Sequence, residues 1–150
     1  MNHRISVGAL VLRNERLLLV HHFVPGEHDY WVPPGGGVED DEELEAAVAR
    51  ETFEETRIVV RAKRLAYIDE LIDSSGRMVK FWFVAEYLSG EIDTGANPAG
   101  EECISSAGWF AQNALPSGHV FPAILRAEFW EHQKEGFDHV RRLPLRTSVF

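Results

Sequence analysis

Residues 78–88, MVKFWFVAEYL, are nearly all apolar or aromatic, with Lys80 and Glu86 the only charges. Such a run reads as a central strand without a solvent face, and it forces the chain to build layers on both sides of a sheet. The material for those layers is present, because 45 % of the residues are hydrophobic and 26 % charged, the proportions of a globular chain and not of a disordered one. A length of 150 residues is that of one ordinary domain, so residues 1–150 are expected to form a single unit.

Around that strand the chain alternates readable elements with turns. Residues 5–12 and 17–22 are apolar, β-branched-rich runs separated by Arg13, Asn14, Glu15 and Arg16, the pattern of a hairpin. Prolines and glycines between Pro25 and Gly37 forbid regular helix there and predict a loop with demanding backbone geometry. Residues 41–56, DEELEAAVARETFEET, hold strong helix formers, acids in the first turn and no Gly or Pro, and predict the best helix of the chain. A strand over 58–67, a long loop over 89–102 ending in Glu101 and Glu102, a short strand over 107–110 and a second helix over 119–134 follow. The tail with Arg141, Arg142 and Arg146 reads as a solvated terminus.

Fifteen basic against 24 acidic residues give a net charge of −9, which repels phosphate backbones and anionic lipid. Nucleic-acid polymers and membranes are therefore not expected as partners, and an anionic ligand needs a basic pocket or bound cations. The only cysteine, Cys103, cannot form an internal disulfide, and residues 5–12 are too short for a membrane span and lack a signal-peptide cleavage site. A cytoplasmic location is expected.

On a helical wheel with Leu44 at zero, Ala47 and Val48 fall about 60° and 40° to either side, and Glu51, Glu54 and Glu55 fall roughly 20°, 80° and 20° away. Three carboxylates thus continue the stripe that should face the sheet. Ionised groups so placed repel one another and lose hydration unless something cationic intervenes. An acidic helix is ordinarily a solvated face, but here Gly35, Gly36 and Gly37 precede it and let backbone approach a phosphate or metal closely. Oxygen-only donors select Mg²⁺ or Mn²⁺ before zinc.

Gly36, Glu42, Arg50, Glu51, Glu54, Glu55 and Ile58 stand at the spacings of the signature of the Nudix hydrolases, which this stretch resembles. Trp31 to Gly35 and Trp109-Phe110 are also similar to that family. Two positions depart from its pattern: Thr52 stands for an aliphatic residue and Arg57 for the box glycine, near a helix end where left-handed backbone is often used. The resemblance implies an α/β fold, a Nudix-like α/β/α sandwich with a mixed β-sheet between helices. It implies that Glu51, Glu54 and Glu55 hold Mg²⁺, with the Gly36 carbonyl as a further ligand, and that Glu42 and Arg50 support the helix and orient Glu51. The activity implied is hydrolysis of a pyrophosphate bond in a nucleoside diphosphate linked to another group, by attack of water on phosphorus. Oligomers are common in the family, so a homodimer is one assembly the resemblance implies.

The general base is either Glu54 or one of Glu101 and Glu102, with the loop pair favoured because a loop can deliver a carboxylate after substrate binds. Candidates for substrate contact are Gly36 and Gly37, Tyr30 and Trp31 beside the site as stacking residues, and Lys80 as a phosphate contact in an otherwise apolar strand. Phe81 and Phe83 are expected in the core. Asp73, Ser74 and Ser75 occupy the region past the box where family subgroups are sometimes told apart, and they support neither ADP-ribose nor dinucleoside polyphosphate hydrolases. Two alternatives remain: a house-cleaning hydrolase of oxidised nucleoside triphosphates, and a non-catalytic nucleotide sensor, encouraged only by Arg57 and opposed by the retained carboxylates.

Overall fold

The structure is a computed structural model that describes residues 1–95 and 103–147. In chain order the strands and helices are β1 (His3–Arg13), β2 (Arg16–Val24), β3 (His28–Val32), β4 (Gly35–Gly37), α1 (Leu44–Thr56), β5 (Val59–Asp73), β6 (Gly76–Ser89), β7 (Ile104–Ala111), β8 (His119–Val120), α2 (Phe129–Lys134) and β9 (Arg141–Arg142). Short 3₁₀ turns at Gln112–Ala114 and Ala123–Arg126 complete the path.

The strands run β8-β3-β2-β1-β6-β5-β9, with β4 added on β1 and β7 on β2. The sheet is mixed: β1 and β6, β3 and β8, and β5 and β9 pair parallel, the others antiparallel. The β1–β2 hairpin closes over Asn14 and Glu15, both at positive φ (54° and 61°), the primed-turn geometry whose twist matches that of the strands. Beyond Leu12 opposite Leu17 the two strands part, so β1 takes β4 and β2 takes β7. This parting opens the space in which the candidate site lies.

Both faces of β6 are covered, as its composition demands. Phe83 and Ala85 pack with Val7, Val11 and Leu18 beneath Ala47 and Val48 of α1. Trp82, on the opposite face, packs with Leu10, Tyr67, Leu125, Phe129 and Trp130. The second layer differs from the expected helix over 119–134. Pro122 has no N–H and its ring excludes a helical turn before it, so this segment instead forms β8, a 3₁₀ turn and the short α2. Of Val120, Ile124, Ala127 and Trp130, whose helical spacing predicts that helix, Val120 and Trp130 are buried, Ile124 is half-buried and Ala127 is exposed.

Other boundaries also differ. The helix α1 begins at Leu44, since Glu43 is still extended (φ −70°, ψ 152°) and Asp40 has positive φ. The strand expected over 58–67 continues to Asp73, and the Pro- and Gly-rich segment contains β3 and β4. The tail is not loose: Arg141 and Arg142 pair with Tyr67 and Ile68, and the Arg146 N–H donates to Glu70 O at 3.0 Å.

Candidate functional site

The triple glycine is a strand, in which a side chain is excluded by backbone at Gly35 and crowded by the Glu51 carboxylate at Gly36. A Cβ on Gly35 would lie 2.2 Å from the Val7 carbonyl oxygen, and one on Gly36 would lie 2.6 Å from the Glu51 carboxylate. β4 and α1 therefore meet backbone against carboxylate. The Gly35 N–H donates to Glu55 Oε1 at 2.9 Å, and the Gly36 carbonyl accepts from Ser6 Oγ at 2.8 Å.

The wheel's forecast holds for two carboxylates and partly for the third. Glu51 and Glu55 are 6 % and 2 % exposed, while the Glu54 side chain keeps 31 % of its surface. Arg50 ties this group together. Its guanidinium forks onto Glu42 (Nε to Oε2 2.7 Å, Nη2 to Oε1 2.9 Å) and donates through Nη1 to Glu51 at 3.0 Å and Glu54 at 3.3 Å. Through Nη2 it also reaches the Gly37 carbonyl at 3.0 Å, fastening the helix to β4. Hydrogen bonds from Arg50 hold the Glu42 carboxyl below the usual carboxylate range, and Glu42 first and Glu51 next keep Arg50 more firmly protonated than usual.

Both departures from the box pattern are accommodated. The buried Thr52 hydroxyl donates back to Val48 O at 2.7 Å, so no polar group is stranded in the core. Arg57 adopts the left-handed cap itself (φ 66°, ψ 10°), its N–H donating to Phe53 O and its guanidinium lying 4.9 Å from the Phe53 ring centroid. The helix end is what a glycine there would produce, which removes the one feature that favoured a non-catalytic sensor.

Gly35, Gly36, Gly37 and Glu55 form one lip of a cleft of about 450 Å³ that runs across the face of β1, β6 and β5. Its aromatic walls are Tyr30, Trp82 and Phe121, and its cations are Arg4, Lys80 and Arg146. Lys80 makes no ion pair among the described residues; its Nζ sits 4.3 Å from the Trp82 ring centroid, opposite Asp69 in the ladder. Loss of hydration pushes the Lys80 ammonium down from its ordinary pKa, with the Glu55 and Asp69 carboxylates pulling the other way. Tyr30 stacks on His22 at 4.9 Å, and burial first, Glu55 second, push its phenol up.

Of the residues expected at the site, Gly36, Gly37, Tyr30, Lys80 and Glu55 line the cleft, while Arg50, Glu51 and Glu54 belong to the helix network beside its glycine lip and are not among its lining residues. Trp31 does not line the cleft: it alternates with Tyr30 along β3, points to the other face, and packs on His21 (4.5 Å) and Phe110 (5.1 Å). Glu101 and Glu102 lie outside the described residues. Arg146 and Phe121, which also line the cleft, and Asp69, which pairs with Arg146, are site neighbours that the sequence reading does not reach. Only Asp69 left a trace, as an acid in the apolar run AYIDELI, and the strand was expected to stop before it. Among the described residues no three His, Cys, Asp or Glu side chains converge as they stand into a metal cage. No described helix is long and apolar enough to cross a membrane.

A mixed sheet between helical layers, with a glycine strand braced on a carboxylate-rich helix, defines the class. The family model described as NUDIX domain matches residues 2–134, and the chain belongs to that family. Over 117 residues it is 38 % identical to the NAD-capped RNA hydrolase NudC of Chromobacterium violaceum, covering 75 % of this chain and 40 % of that protein. It is 27 % identical over 114 residues to the ADP-ribose pyrophosphatase of Methanocaldococcus jannaschii, covering 75 % of this chain and 64 % of that one. The chain thus spans less than two thirds of either relative's length. The solved structure of the MutT NUDIX hydrolase from Burkholderia pseudomallei superposes with a TM-score of 0.66 at 30 % identity, covering 81 % of this chain and 92 % of that one.

Proposed function

We propose that this protein is a pyrophosphohydrolase acting on a nucleoside diphosphate linked to a second group. The observation that carries the reading is the juxtaposition of two buried carboxylates, Glu51 and Glu55, with the backbone of Gly35 and Gly36 at the lip of a cleft whose floor holds Lys80. An acidic lip with a cationic floor suits a polyanion that arrives with, or meets, a divalent cation.

The donor set fits such a cation. It is all oxygen, and the missing Cβ of Gly36 leaves the Glu51 carboxylate open to the backbone beside it. Glu51, Glu54, Glu55 and the Gly36 carbonyl are the groups assigned to hold Mg²⁺, or Mn²⁺ in its place. When bound, the ion supplies neutralisation of the phosphate oxygens and a lowered pKa for coordinated water. Arg50, by holding Glu42, Glu51 and Glu54 in one network, keeps the helix carboxylates in register before any ligand arrives. Lys80 contacts a phosphate oxygen, and Tyr30 flanks the entering nucleotide. A carboxylate accepts the proton of the attacking water as the new P–O bond forms and the bridging oxygen leaves with the other phosphate. Glu54, the most exposed of the three, is one candidate for this role, and Glu101 and Glu102 are the others.

The reading is tested by incubating the protein with a mixed pool of nucleotide derivatives, with Mg²⁺ and with chelator, and analysing products by liquid chromatography and mass spectrometry. Loss of one compound only with Mg²⁺, yielding two phosphorylated fragments, is expected. Consumption that chelator does not affect, or cleavage at a bond other than the pyrophosphate, contradicts it.

A further inference from the structure

Lys80 of β6 stands directly across the ladder from Asp69 of β5, and opposite charges so placed on one face of an antiparallel pair are within reach of an ion pair. Here they form none. Lys80 makes no ion pair among the described residues, and its Nζ rests 4.3 Å from the Trp82 ring centroid. Asp69, 1 % exposed, is already engaged: Oδ2 accepts from Arg146 Nη2 at 2.7 Å and from Trp82 Nε1 at 3.3 Å. Its Oδ1 has no hydrogen bond among the described residues, so the place that Lys80 would take is open and not taken.

The competing cation comes from far along the chain and is fixed by backbone. The Arg146 N–H donates to Glu70 O at 3.0 Å, and its carbonyl accepts from the Ile72 N–H at 2.9 Å. Its charge cancels much of the pull that a buried carboxylate exerts on an ammonium across the strand, and like sign pushes Lys80 away. Trp82 completes the arrangement, since its N–H holds Asp69 while its ring receives Lys80. Lys80 lines the cleft with Glu55 and the glycine strand, and Asp69 does not. An ammonium folded onto Asp69 is lost to a ligand, whereas one lying on the Trp82 ring is presented to the cleft.

Resting on the reading that Lys80 contacts a phosphate oxygen, we propose that Arg146 is a positioning residue for that contact: by occupying Asp69 it keeps Lys80 off its cross-strand carboxylate and available to a pyrophosphate. The two members of one ion pair then act on the ligand in opposite directions. Arg146 favours anion binding through Lys80, and Asp69 opposes it. An ion pair that only braces the tail against β5 makes both substitutions harmful alike, and an Arg146 that touches the ligand itself acts whether or not Lys80 is present.

The test is calorimetric binding of inorganic pyrophosphate, with Mg²⁺ present, to the wild type, Lys80→Met, Arg146→Gln, Arg146→Lys, Asp69→Asn and the double variant Lys80→Met/Arg146→Gln. Arg146→Gln should weaken binding about tenfold or more, the worth of one hydrogen bond to a charged group, because Lys80 turns to Asp69. Arg146→Lys keeps a charged donor for Asp69 and should stay within about threefold of the wild type. Asp69→Asn should bind at least as tightly as the wild type, and in the Lys80→Met background Arg146→Gln should change binding by less than about twofold. Weaker binding by Asp69→Asn overturns the proposal even if Arg146→Gln fails to fold. A loss of about tenfold that persists without Lys80 overturns it as well, in favour of direct contact by Arg146. Wild-type binding by Lys80→Met removes the phosphate contact and the proposal together. Weakened binding by Lys80→Met beside wild-type binding by Arg146→Gln leaves that contact standing and removes only the role of Arg146.

Discussion

Replacing Arg50 by methionine keeps much of the side chain's bulk and removes its charge. The structure then loses the forked pair to Glu42, the contacts to Glu51 and Glu54 and the tie to Gly37 O. Arg50 is 22 % exposed, Glu42 17 % and Glu51 7 %, so solvent screens these charges little. Removing one partner of a buried pair costs about 3–5 kcal/mol, and partial exposure puts the expectation at the lower end, about 3 kcal/mol. For a chain of this size that is a fall in melting temperature of roughly 6–12 °C. The pH dependence is the sharper signature. Arg50 depresses the folded-state pKa of Glu42, so the stability it contributes is present above the unfolded carboxylate pKa and is lost as pH falls through the folded value. The gap between wild type and variant should therefore hold from pH 7 down to the ordinary carboxylate pKa of about 4.3 and shrink from there toward about pH 2. Thermal melts of both proteins across that range decide it. An equal gap at every pH would show that Arg50 acts by packing alone, and no gap would refute the network.

Three further outcomes are expected. Gly36→Ala sets a methyl 2.6 Å from the Glu51 carboxylate and should cost about 1–3 kcal/mol in chemical denaturation, whereas Gly37→Ala, with open space around its Cβ, should cost under about 1. Because the Lys80 pKa is lowered by desolvation and only the ammonium attracts phosphate, KM should rise with pH at a lower pH than exposed lysine would impose, and Lys80→Met should abolish that rise; an unchanged profile in the variant rejects the contact. Arg57→Val should lose about 1 kcal/mol or more because a β-branched residue resists the left-handed cap, while Arg57→Gly should melt at or above the wild-type temperature; the reverse order would contradict the cap.

The legible parts of this chain were those in which local chemistry and tertiary demand agree. The run from Met78 to Leu88 has no polar face, so a two-sided sheet follows from it alone, and Trp82 and Phe83 do lie in opposite cores. The inward carboxylates of α1 were readable because helical periodicity converts spacing into direction. Pro122 opposes the helix that the spacing of Val120, Ile124, Ala127 and Trp130 favours, and that spacing reports burial only at its two ends, Val120 and Trp130. The expectation for Trp31 failed by one residue of strand alternation: Tyr30 and Trp31 cannot both face the cleft. Arg146 was illegible for a different reason. Its place depends on the tail pairing with β5, a contact between residues far apart in sequence that no local pattern encodes.

The central claim is that carboxylates on one turn of α1 run the hydrolysis. Its most direct test is turnover of the substrate found in the pool by Glu54→Gln and Glu55→Gln, each measured beside the wild type at saturating Mg²⁺ with folding verified by thermal melt. Each substitution removes a charge and keeps the shape, and a fall in kcat of about 10²-fold or more in at least one of them with native-like melting is predicted. Wild-type kcat in both variants would contradict the account.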